Sequence, residues 1–374
     1  MWVSEIQLAN FRNYSSLNLA LTKGATILHG PNGEGKTNLV EALVFLGQLS
    51  SHRHGAIKTL VKNGETQAIA SATANQGNRK VVVAAEINTD EANRYFINAN
   101  QQKRTADFLG NLPVVLFAPE DLDIVRRDPE DRRFFLDSTM ALLRPRLAQL
   151  KLDYDRALKQ RNALLKSAKF AKNPELSTLD IWDEQIASLG SKLTIARLEL
   201  ISEISPLLQD FYNKLSPAKE KISLQLVSLN SQEQIEEITQ SDIEKQLRNK
   251  MLQLREQELE RGITLVGPHR DELLIEKEGL VARSHSSQGE AWSIALGLKL
   301  AVAKLLREGS LGDPVVVLDD VFSVLDPGRR SRILEFVLGF EQVLITAADQ
   351  TMAPEIEWTA SYSVFGGELI GDQL

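Results

Sequence analysis

The sequence is built around the octapeptide Gly30-Pro31-Asn32-Gly33-Glu34-Gly35-Lys36-Thr37. It fits the pattern G-x-x-x-x-G-K-[ST] at every fixed position. The run 26–29 before it is β-prone, and 38–49 after it carries apolar residues at helical spacing, so a strand, a phosphate-binding loop and a helix are predicted. In that arrangement backbone N–H groups and a helix N-terminus point at one anion. Lys36 is expected to reach the β- and γ-phosphates and the Thr37 hydroxyl to ligate a metal, so ATP and Mg²⁺ are the predicted cofactors.

Composition excludes several classes of protein. The 374 residues include no cysteine, which rules out disulfides and cysteine-ligated zinc and fits a cytoplasmic location. No stretch approaches the roughly 18 consecutive apolar residues of a membrane span, and residues 1–10 lack the apolar core of a signal peptide. The formal net charge is −7, so any binding of nucleic acid must depend on a local basic patch.

Two kinds of pattern alternate along the chain. Residues 1–130 and 263–374 combine short β-prone runs with apolar-periodic helices, whereas residues 131–262 are mainly helical. We therefore predict an α/β fold in which a discontinuous lobe with a mixed sheet carries the phosphate loop and an inserted helical arm forms a second lobe.

Within the arm, apolar residues mark the expected helices. Apolar residues recur at steps of three and four over 143–168, with one longer gap at Arg161, and again over 182–200. A capping box at 241–244 is expected to begin a third helix that ends at Gly262. Residues 263–266 are then predicted to form a strand.

The apolar run 315–318 ends in two acids, Asp319 and Asp320. In phosphate-loop proteins the first such acid holds Mg²⁺ and the second orients or deprotonates the attacking water. Taken alone, the run is equally expected to be an ordinary strand that ends in solvated acids. Combined with the upstream loop, it predicts that Asp319 shares the metal with Thr37 and that Asp320 acts in catalysis together with Lys36.

A serine and two further small residues precede the acid pair, in Ser286-Ser287-Gln288-Gly289-Glu290. A serine at a helix N-terminus can bind a phosphate, although alone it would be interpreted as a plain helix cap. The stretch 323–326 follows the acid pair and ends in Asp326. Two histidines at metal-ligand spacing, His52 and His54, have no third ligand nearby in sequence, so a metal site there is improbable.

In this order the motifs resemble those of the SMC/Rad50/RecF branch of ABC ATPases, and within it the recombination mediators of bacterial gap repair. The resemblance covers essentially the whole chain and is carried by the phosphate loop, the C-terminal motifs and the stretches 10–14, 116–122, 131–137 and 267–271. It implies an ABC-type ATPase head that ATP joins into a homodimer, each phosphate loop facing Ser287 and Gly289 of the partner. It also implies that Arg12 and Asp326 lie at the nucleotide.

The same resemblance implies an ATP-dependent DNA-binding protein that acts in DNA replication, repair and the SOS response. Single-stranded DNA and junctions of single- and double-stranded DNA are the implied ligands, RecR and RecO the implied partners, and loading of RecA the indirect outcome. Hydrolysis is expected to be weak, stimulated by DNA and used as a switch for release.

The chain departs from the family pattern at a few positions. Asp320 replaces the glutamate common in ABC ATPases, which suggests slow hydrolysis, and no switch histidine follows the run 342–345. Val324 stands where an acid is usual and Arg127 where glycine is usual. Glu120 is the candidate for the position of the Q-loop glutamine.

A basic stretch in the arm is the candidate DNA contact. Residues 144–172 carry nine basic residues and two acidic ones, a local charge of +7 in a chain of net charge −7. Such a run is usually a solvated helix face, but an acidic protein that binds DNA must concentrate its positive charge. We therefore predict that Lys159, Arg161 and Lys166 contact phosphates.

Other functions remain open at this point. A Rad50- or SMC-like tether would need far longer arms than about 130 residues, and often a cysteine hook. A transporter or motor subunit is disfavoured by the missing switch histidine and by the helical insertion. A nuclease of the overcoming-lysogenization-defect type would need a further acidic domain after the ATPase.

Overall fold

The computed structural model describes residues 1–51, 53, 55–170, 177–228, 239–349 and 354–371. The strands are β1 (Trp2–Phe11), β2 (Tyr14–Ala20), β3 (Gly24–His29), β4 (Gln67–Gln76), β5 (Arg79–Asn88), β6 (Arg94–Ile97), β7 (Asn100–Gln101), β8 (Val114–Phe117), β9 (Ile222–Ser228), β10 (Asp271–Lys277), β11 (Leu280–Val281), β12 (Val315–Asp319), β13 (Gln342–Ala347), β14 (Ala360–Phe365) and β15 (Glu368–Gly371). The helices are α1 (Lys36–Gln48), α2 (Thr105–Phe108), α3 (Asp123–Arg126), α4 (Pro129–Leu143), α5 (Arg146–Phe170), α6 (Ser177–Leu215), α7 (Gln240–Gln253), α8 (Arg255–Arg261), α9 (Ala282–His285), α10 (Gln288–Glu308) and α11 (Pro327–Val337). None of these helices combines the length and apolarity needed to cross a membrane.

The chain divides into two compact units. The first comprises Met1–Asp123, Leu207–Lys219 and Ser287–Leu374, and the second comprises Ile124–Pro206 and Glu220–Ser286. The second unit thus extends beyond the predicted arm, 131–262. The extension follows from strand pairing, because β10 pairs with β9 along its whole length in an antiparallel ladder.

A parallel sheet in the first unit places the phosphate loop and the acid pair at one edge. Among the described residues its order is β15-β14-β3-β13-β12-β8, with β15 antiparallel to β14 and the other neighbours parallel. The predicted strand 315–318 is confirmed as part of β12, which is buried between β13 and β8. Because parallel strands end at the same edge of a sheet, the loop after β3 and the acids after β12 lie on the same side.

The second sheet of the first unit is antiparallel, with the order β2-β1-β4-β5-β6-β7 in the described chain. Its inner face carries alternating apolar residues, as a half-buried antiparallel sheet requires. Helix α1 shares a core with this face and with apolar residues of the parallel sheet; that core includes Ile6, Ala70, Val83, Leu43 and Val317. The phosphate loop is therefore anchored at both ends, by a buried strand and by a buried helix.

The arm helices differ from the prediction at three ends. The first apolar seam spans two helices, α4 and α5, because Pro145 lacks an N–H and disfavours helical geometry at the residue before it. Helix α7 is capped by Thr239, whose hydroxyl accepts from Asp242 N–H at 3.2 Å, and not by a box that begins at residue 241. The third predicted helix is divided at Leu254 into α7 and α8, and only its predicted end is confirmed, because Gly262 ends α8 in the left-handed conformation, φ 71°.

The predicted strand at 263–266 is wrong. Side chains of the second unit take the N–H groups that a strand would use in a ladder. Thr264 N–H donates to Asn162 Oδ1 at 2.7 Å, and Leu265 N–H donates to Glu258 Oε1 at 2.7 Å. An apolar run with strand propensity therefore becomes an irregular segment held by polar side chains.

A buried polar cluster surrounds His269 and Asp271 in the second unit. The Tyr154 hydroxyl lies 2.7 Å from His269 Nδ1, and His269 Nε2 lies 3.3 Å from the Thr264 carbonyl oxygen. Burial lowers the pKa of His269 to about 4 and raises the pKa of Asp271 to about 7, the latter against the opposing effect of Arg197. The described hydrogen bonds of His269 thus stay within the second unit.

We expect Asp271→Asn to raise the free energy of unfolding, by an amount that grows from pH 4 to pH 7. The pKa of Asp271 is above its ordinary value of 3.8, so its stabilising contribution is full below pH 4 and is lost as the pH rises through about 7. The pKa of His269 is below 6.5, so its contribution is present above pH 6.5 and is lost as the pH falls through about 4. In the wild type, Asp271 makes the free energy of unfolding fall with rising pH while His269 makes it rise. In the variant only the effect of His269 remains.

Urea unfolding at a series of pH values from 4 to 8 measures this difference. The gain at pH 8 should be of the order of 4 kcal/mol, because each pKa unit between 3.8 and about 7 corresponds to about 1.4 kcal/mol and this pKa already includes the attraction of the neighbouring arginines. An equal loss of stability at every pH would show that the Asp271 carboxylate is instead needed for its hydrogen bonds.

Candidate functional site

The phosphate loop closes around the ammonium group of Lys36. Lys36 Nζ donates to the carbonyl oxygens of Gly30 at 2.6 Å and Pro31 at 2.8 Å, and only 7% of the residue is exposed. Burial lowers the pKa of Lys36, and the carboxylates of Asp320 and Asp319 oppose this effect. A phosphate chain in the loop would supply the negative charge that this buried ammonium lacks.

One threonine links the two acids at the end of β12. Thr346 Oγ1 donates to Asp319 Oδ1 at 2.7 Å and accepts from Asp320 N–H at 2.9 Å. Thr37 Oγ1 donates to the same Asp319 oxygen at 3.1 Å. Burial raises the pKa of Asp319, and the hydrogen bonds from Thr346 and Thr37 oppose the rise. Asp319 and Thr37, predicted to share a metal, are thus in direct contact.

A cavity of about 310 Å³ lies over the loop. It is lined by Asn32, Gly33, Gly35, Lys36, Thr37, Asn38, Arg53, Asp320 and Thr346. Asp320 reaches it from a left-handed backbone conformation, φ 51° and ψ 20°, which aspartate tolerates better than most residues. Six of the predicted site residues therefore meet in one cavity.

The described side chains fit a triphosphate with Mg²⁺. Gly33 has φ 90°, and a Cβ atom there would meet no other atom within 4 Å, so the loop backbone is open to a ligand. Two adjacent oxygen ligands of an octahedral Mg²⁺ lie about 3 Å apart, since each metal–oxygen distance is about 2.1 Å. The 3.1 Å between Thr37 Oγ1 and Asp319 Oδ1 matches that spacing. These two residues would hold the metal, with the phosphates supplying further oxygens.

The turn Pro119–Leu122 follows β8 at the same edge of the sheet. Glu120 is exposed there, and its charge contributes to the raised pKa of Asp319, after the larger effect of burial. Asp121 accepts from Ala118 N–H at 2.9 Å and pairs with Lys299 of α10 at 3.1 Å. Glu120, the candidate for the Q-loop position, is thus near enough to Asp319 to raise its pKa, while Asp121 fixes the turn.

Ser287, Gly289 and Asp326 meet in a separate cluster. Ser287 caps α10 through a reciprocal box, in which Glu290 N–H donates to Ser287 Oγ at 3.3 Å and Ser287 N–H donates to Glu290 Oε2 at 2.7 Å. Asp326 caps α11 by accepting from Arg329 N–H at 3.1 Å. The Arg329 guanidinium packs over Gly289, where a Cβ atom would lie 2.8 Å from it. The cavity described above is lined by other residues.

Arg12 is bound away from the cavity lining. Its guanidinium makes a two-pronged ion pair with Glu41 of α1, at 2.7 and 2.9 Å, and donates to the Thr59 carbonyl oxygen. Glu41 is fully buried, so Arg12 neutralises a buried carboxylate of the loop helix. Its predicted place at the nucleotide therefore has no support in the described contacts.

The structure adds two polar residues that the sequence did not single out, Thr346 and Arg53. Thr346 stands where a switch histidine was sought, and its hydroxyl takes the role of holding the acids. Arg53 lines the cavity and donates to Asn38 Oδ1 at 2.9 Å. The sequence had drawn attention only to the flanking His52 and His54, which lie outside the described residues. The position of Arg53 shortly after the end of α1 was the only feature of the sequence that could have indicated its place in the cavity.

The basic stretch of α5 divides into exposed and buried side chains. Lys159 and Lys166 are exposed. Arg161 is fully buried and donates to Asp183 at 2.7 Å, Glu258 at 2.6 Å and Thr264 at 2.9 Å. This burial removes Arg161 from the predicted DNA contacts, because its charge is already neutralised within the second unit.

Comparison with known proteins gives the family. The RecF/RecN/SMC N-terminal domain family matches residues 2–366. A DNA replication and repair protein RecF from Streptomyces avermitilis is 44% identical over 373 residues, which cover 98% of this chain and 99% of that protein. The chain belongs to the RecF family. Another RecF, from Clavibacter sepedonicus, is also 44% identical, over 95% of this chain and 91% of its own length.

Solved structures agree with this assignment. The recombination mediator protein RecF with ATP, described as part of the RecFOR pathway, matches with a TM-score of 0.91 and 28% identity, over 100% of this chain and 98% of that RecF chain. An SMC head bound to the C-terminal winged-helix domain of ScpA matches with a TM-score of 0.56 at 17% identity, which supports the fold alone. The predicted ABC-type ATPase fold and the predicted resemblance to the SMC/Rad50/RecF branch are confirmed.

Proposed function

We propose that this RecF-family chain is an ATP-dependent DNA-binding protein of recombinational gap repair, which Mg²⁺ and ATP join into a homodimer. One observation carries the proposal: Lys36, Thr37 and Asp320 line one cavity over the phosphate loop, and Thr37 contacts Asp319 at the spacing of two metal ligands. The names of the RecF relatives and the ATP-bound RecF structure support it.

Each cavity residue has a distinct task. Lys36 places positive charge beside the β- and γ-phosphates, and Thr37 and Asp319 would hold Mg²⁺, which would supply further positive charge there. Asp320 orients the attacking water and accepts its proton. The Thr346 hydroxyl bonds both the Asp319 carboxylate and the Asp320 N–H. It thereby fixes the metal-binding acid relative to the acid that orients the water.

The partner copy supplies what the cavity lacks. Ser287 and the N-terminus of α10 form an anion-binding group that contributes nothing to the lining of the described cavity. In a two-fold dimer this group would close over the γ-phosphate of the partner, with Asp326 and Arg329 beside it. ATP thereby becomes part of the interface, and its slow hydrolysis releases the dimer and the DNA.

We expect Ser287→Arg to retain ATP binding and to abolish the ATP-dependent doubling of mass, because a bulky cation would fill the place of the closing phosphate. Ser287→Asp should do the same while keeping the helix cap, since aspartate caps as well as serine but repels phosphate. Light scattering with and without ATP measures the mass, and Ser202→Arg, at an exposed serine of α6, is the control. A doubled mass for either Ser287 variant would contradict the placement of Ser287 across the dimer.

DNA binding is proposed to use the exposed lysines of α5. Changing Lys159 and Lys166 together to Glu should weaken binding to all DNA sequences alike and reduce the slope of log affinity against log salt by about 2, one unit for each lost phosphate contact. Lys80 and Lys103 are exposed in the first unit and provide a control pair with the same change of charge. If the Lys159/Lys166 and Lys80/Lys103 double variants bind DNA with equal affinity at the same salt concentration, the exposed lysines of α5 are not the DNA-binding site.

The cellular setting extends the proposal. The protein would act in the cytoplasm at single-stranded DNA and at junctions with duplex DNA. It would recruit RecR and RecO, and so promote loading of RecA during replication, repair and the SOS response. The RecFOR pathway named for the similar ATP-bound structure supports this setting.

A further inference from the structure

Two peptide groups of the phosphate loop are held from outside the loop. The Gly35 carbonyl oxygen accepts from the Tyr14 hydroxyl at 3.1 Å and from Leu39 N–H, the first helical bond of α1, at 3.0 Å. Asn13 Nδ2 donates to the Glu34 carbonyl oxygen at 3.0 Å, and Gly367 N–H donates to the same oxygen at 3.2 Å. A trans peptide is planar, with its N–H opposite its C=O. Outward-held carbonyls therefore turn the N–H groups of Gly35 and Lys36 toward the inside of the loop.

The two side chains that hold these carbonyls are themselves fixed. Tyr14 is 1% exposed, and burial raises its pKa, so the phenol stays neutral and remains a donor. Asn13 Oδ1 accepts from Asn38 Nδ2 at 2.8 Å, and Asn38 Oδ1 accepts from Arg53. This chain of bonds sets the orientation of the Asn13 amide, which must donate to Glu34.

The approach of these groups to the loop leaves no room for a side chain. Gly35 has φ 121°, and a Cβ atom there would lie 2.6 Å from Asn13 Nδ2 and 2.9 Å from the Tyr14 hydroxyl. The glycine is thus required by the Asn13 and Tyr14 side chains packed against it, as well as by its dihedral angle.

The turn between β14 and β15 holds the loop from the other end of the chain. Gly366 N–H donates to the Glu34 carboxylate, so this side chain, predicted to bind the cofactor, is engaged by the turn. The Val364 carbonyl oxygen packs so closely on Gly30 that a Cβ atom there would lie 2.3 Å from it. Both turn glycines have positive φ, as a tight hairpin of this kind requires.

We propose that Tyr14, Asn13 and the 366–367 turn are positioning residues of the phosphate loop, which set its affinity for a triphosphate without touching the nucleotide. The inference rests on the proposed ATP function. A loop whose N–H groups already face inward loses less conformational freedom when the phosphates arrive, and its dipoles need no reorientation. Removal of one outer hydrogen bond should therefore weaken binding, although the ligand contacts are unchanged.

Tyr14→Phe tests the proposal, with Tyr362→Phe as its matched control. Tyr362 also donates its hydroxyl to a backbone carbonyl, that of Ala20 at 2.9 Å, but outside the loop. Affinities for ATP and for inorganic tripolyphosphate are measured on the full chain by calorimetry. Tyr14→Phe should bind both ligands about three- to tenfold more weakly, the range for one hydrogen bond, with an unchanged hydrolysis rate at saturating ATP. Tyr362→Phe should bind both like the wild type.

Further outcomes decide the remaining cases. If Tyr14→Phe does not fold, Asn13→Ala, at an exposed residue, should still weaken both ligands by an equal factor. Wild-type affinity for both ligands in the folded Tyr14 or Asn13 variant overturns the inference, as does a loss confined to ATP, since that would assign the effect to the nucleoside. A wild-type chain that binds neither ligand would instead overturn the proposed function.

Discussion

Replacing Lys36 with alanine is expected to weaken ATP binding about a hundredfold, because charge-assisted hydrogen bonds to the phosphates are lost from a water-poor loop. Lys36 is 7% exposed, its ammonium group donates to two carbonyl oxygens of the loop, and no other lysine lines the cavity of the described chain. Calorimetric titration with ATP and Mg²⁺ measures the loss. Lys36→Ala should also lose ATP-dependent dimerisation and DNA binding, since both depend on bound nucleotide in the proposed function.

Asp320→Asn is the matched contrast, because it changes the same cavity without removing a phosphate ligand. It should bind ATP normally, accumulate the dimer and stop hydrolysis, since the amide cannot accept the proton of the water. If Asp320→Asn hydrolyses ATP at the wild-type rate, Asp320 is not the base. If Lys36→Ala binds ATP as tightly as the wild type, the cavity is not the nucleotide site.

Replacing Arg161 with methionine should lower the free energy of unfolding of the second unit by about 3–5 kcal/mol, because it leaves buried carboxylates without a counter-charge. Glu258 is fully buried and Asp183 nearly so, and both lie within 2.7 Å of the guanidinium. Methionine has a similar length and adds no polar group, so lost neutralisation dominates. Urea unfolding followed by circular dichroism measures the change.

Lys159→Met is the control, since it removes an exposed charge from the same helix and should change stability by less than about 0.5 kcal/mol. The two variants separate the structural role of buried Arg161 from the DNA contact proposed for exposed Lys159, since the sequence predicted a DNA contact for both. A stable Arg161→Met variant with weakened DNA binding would restore Arg161 as a DNA contact.

Local chemistry made the nucleotide site predictable. The loop sequence specifies its own backbone, and an apolar run that ends in two acids specifies a parallel strand with its functional edge. Lys36, Thr37 and Asp320 accordingly line one cavity, with Asp319 in contact with Thr37. Each of the two motifs depends on residues close together in sequence, and the known roles of such motifs in phosphate-loop proteins predicted that they meet, although Thr37 and Asp319 are 282 residues apart.

The burial of Arg161 could also have been inferred. It occupies the gap in the apolar seam, three residues after Leu158 and four before Leu165, which is the helix face that packs. A count of basic residues along a helix does not distinguish the face that packs from the face that is exposed. Periodicity thus carried the correct signal, and the count of basic residues gave a misleading one.

Other features depend on partners far along the chain. The run 263–266 has the residue types of a strand, yet Asn162 and Glu258 take its N–H groups. Thr346 lacks any motif of its own, and its role follows only from the parallel pairing of β13 with β12. Sequence patterns do not contain such pairings, because the partners are set by the topology of the folded chain.

The parallel sheet has a consequence for synthesis of the protein on the ribosome. Strand β3 lies between β13 and β14, and Thr37 contacts an acid 282 residues further along the chain. At about 5–20 residues per second, a ribosome needs roughly 15 to 60 s to complete that interval. Throughout it the nascent loop strand has no neighbour in its sheet and no acid beside its threonine. Nucleotide loading therefore has to wait for the synthesis of β12 and β13, and until then this apolar strand is a segment for chaperones to shield.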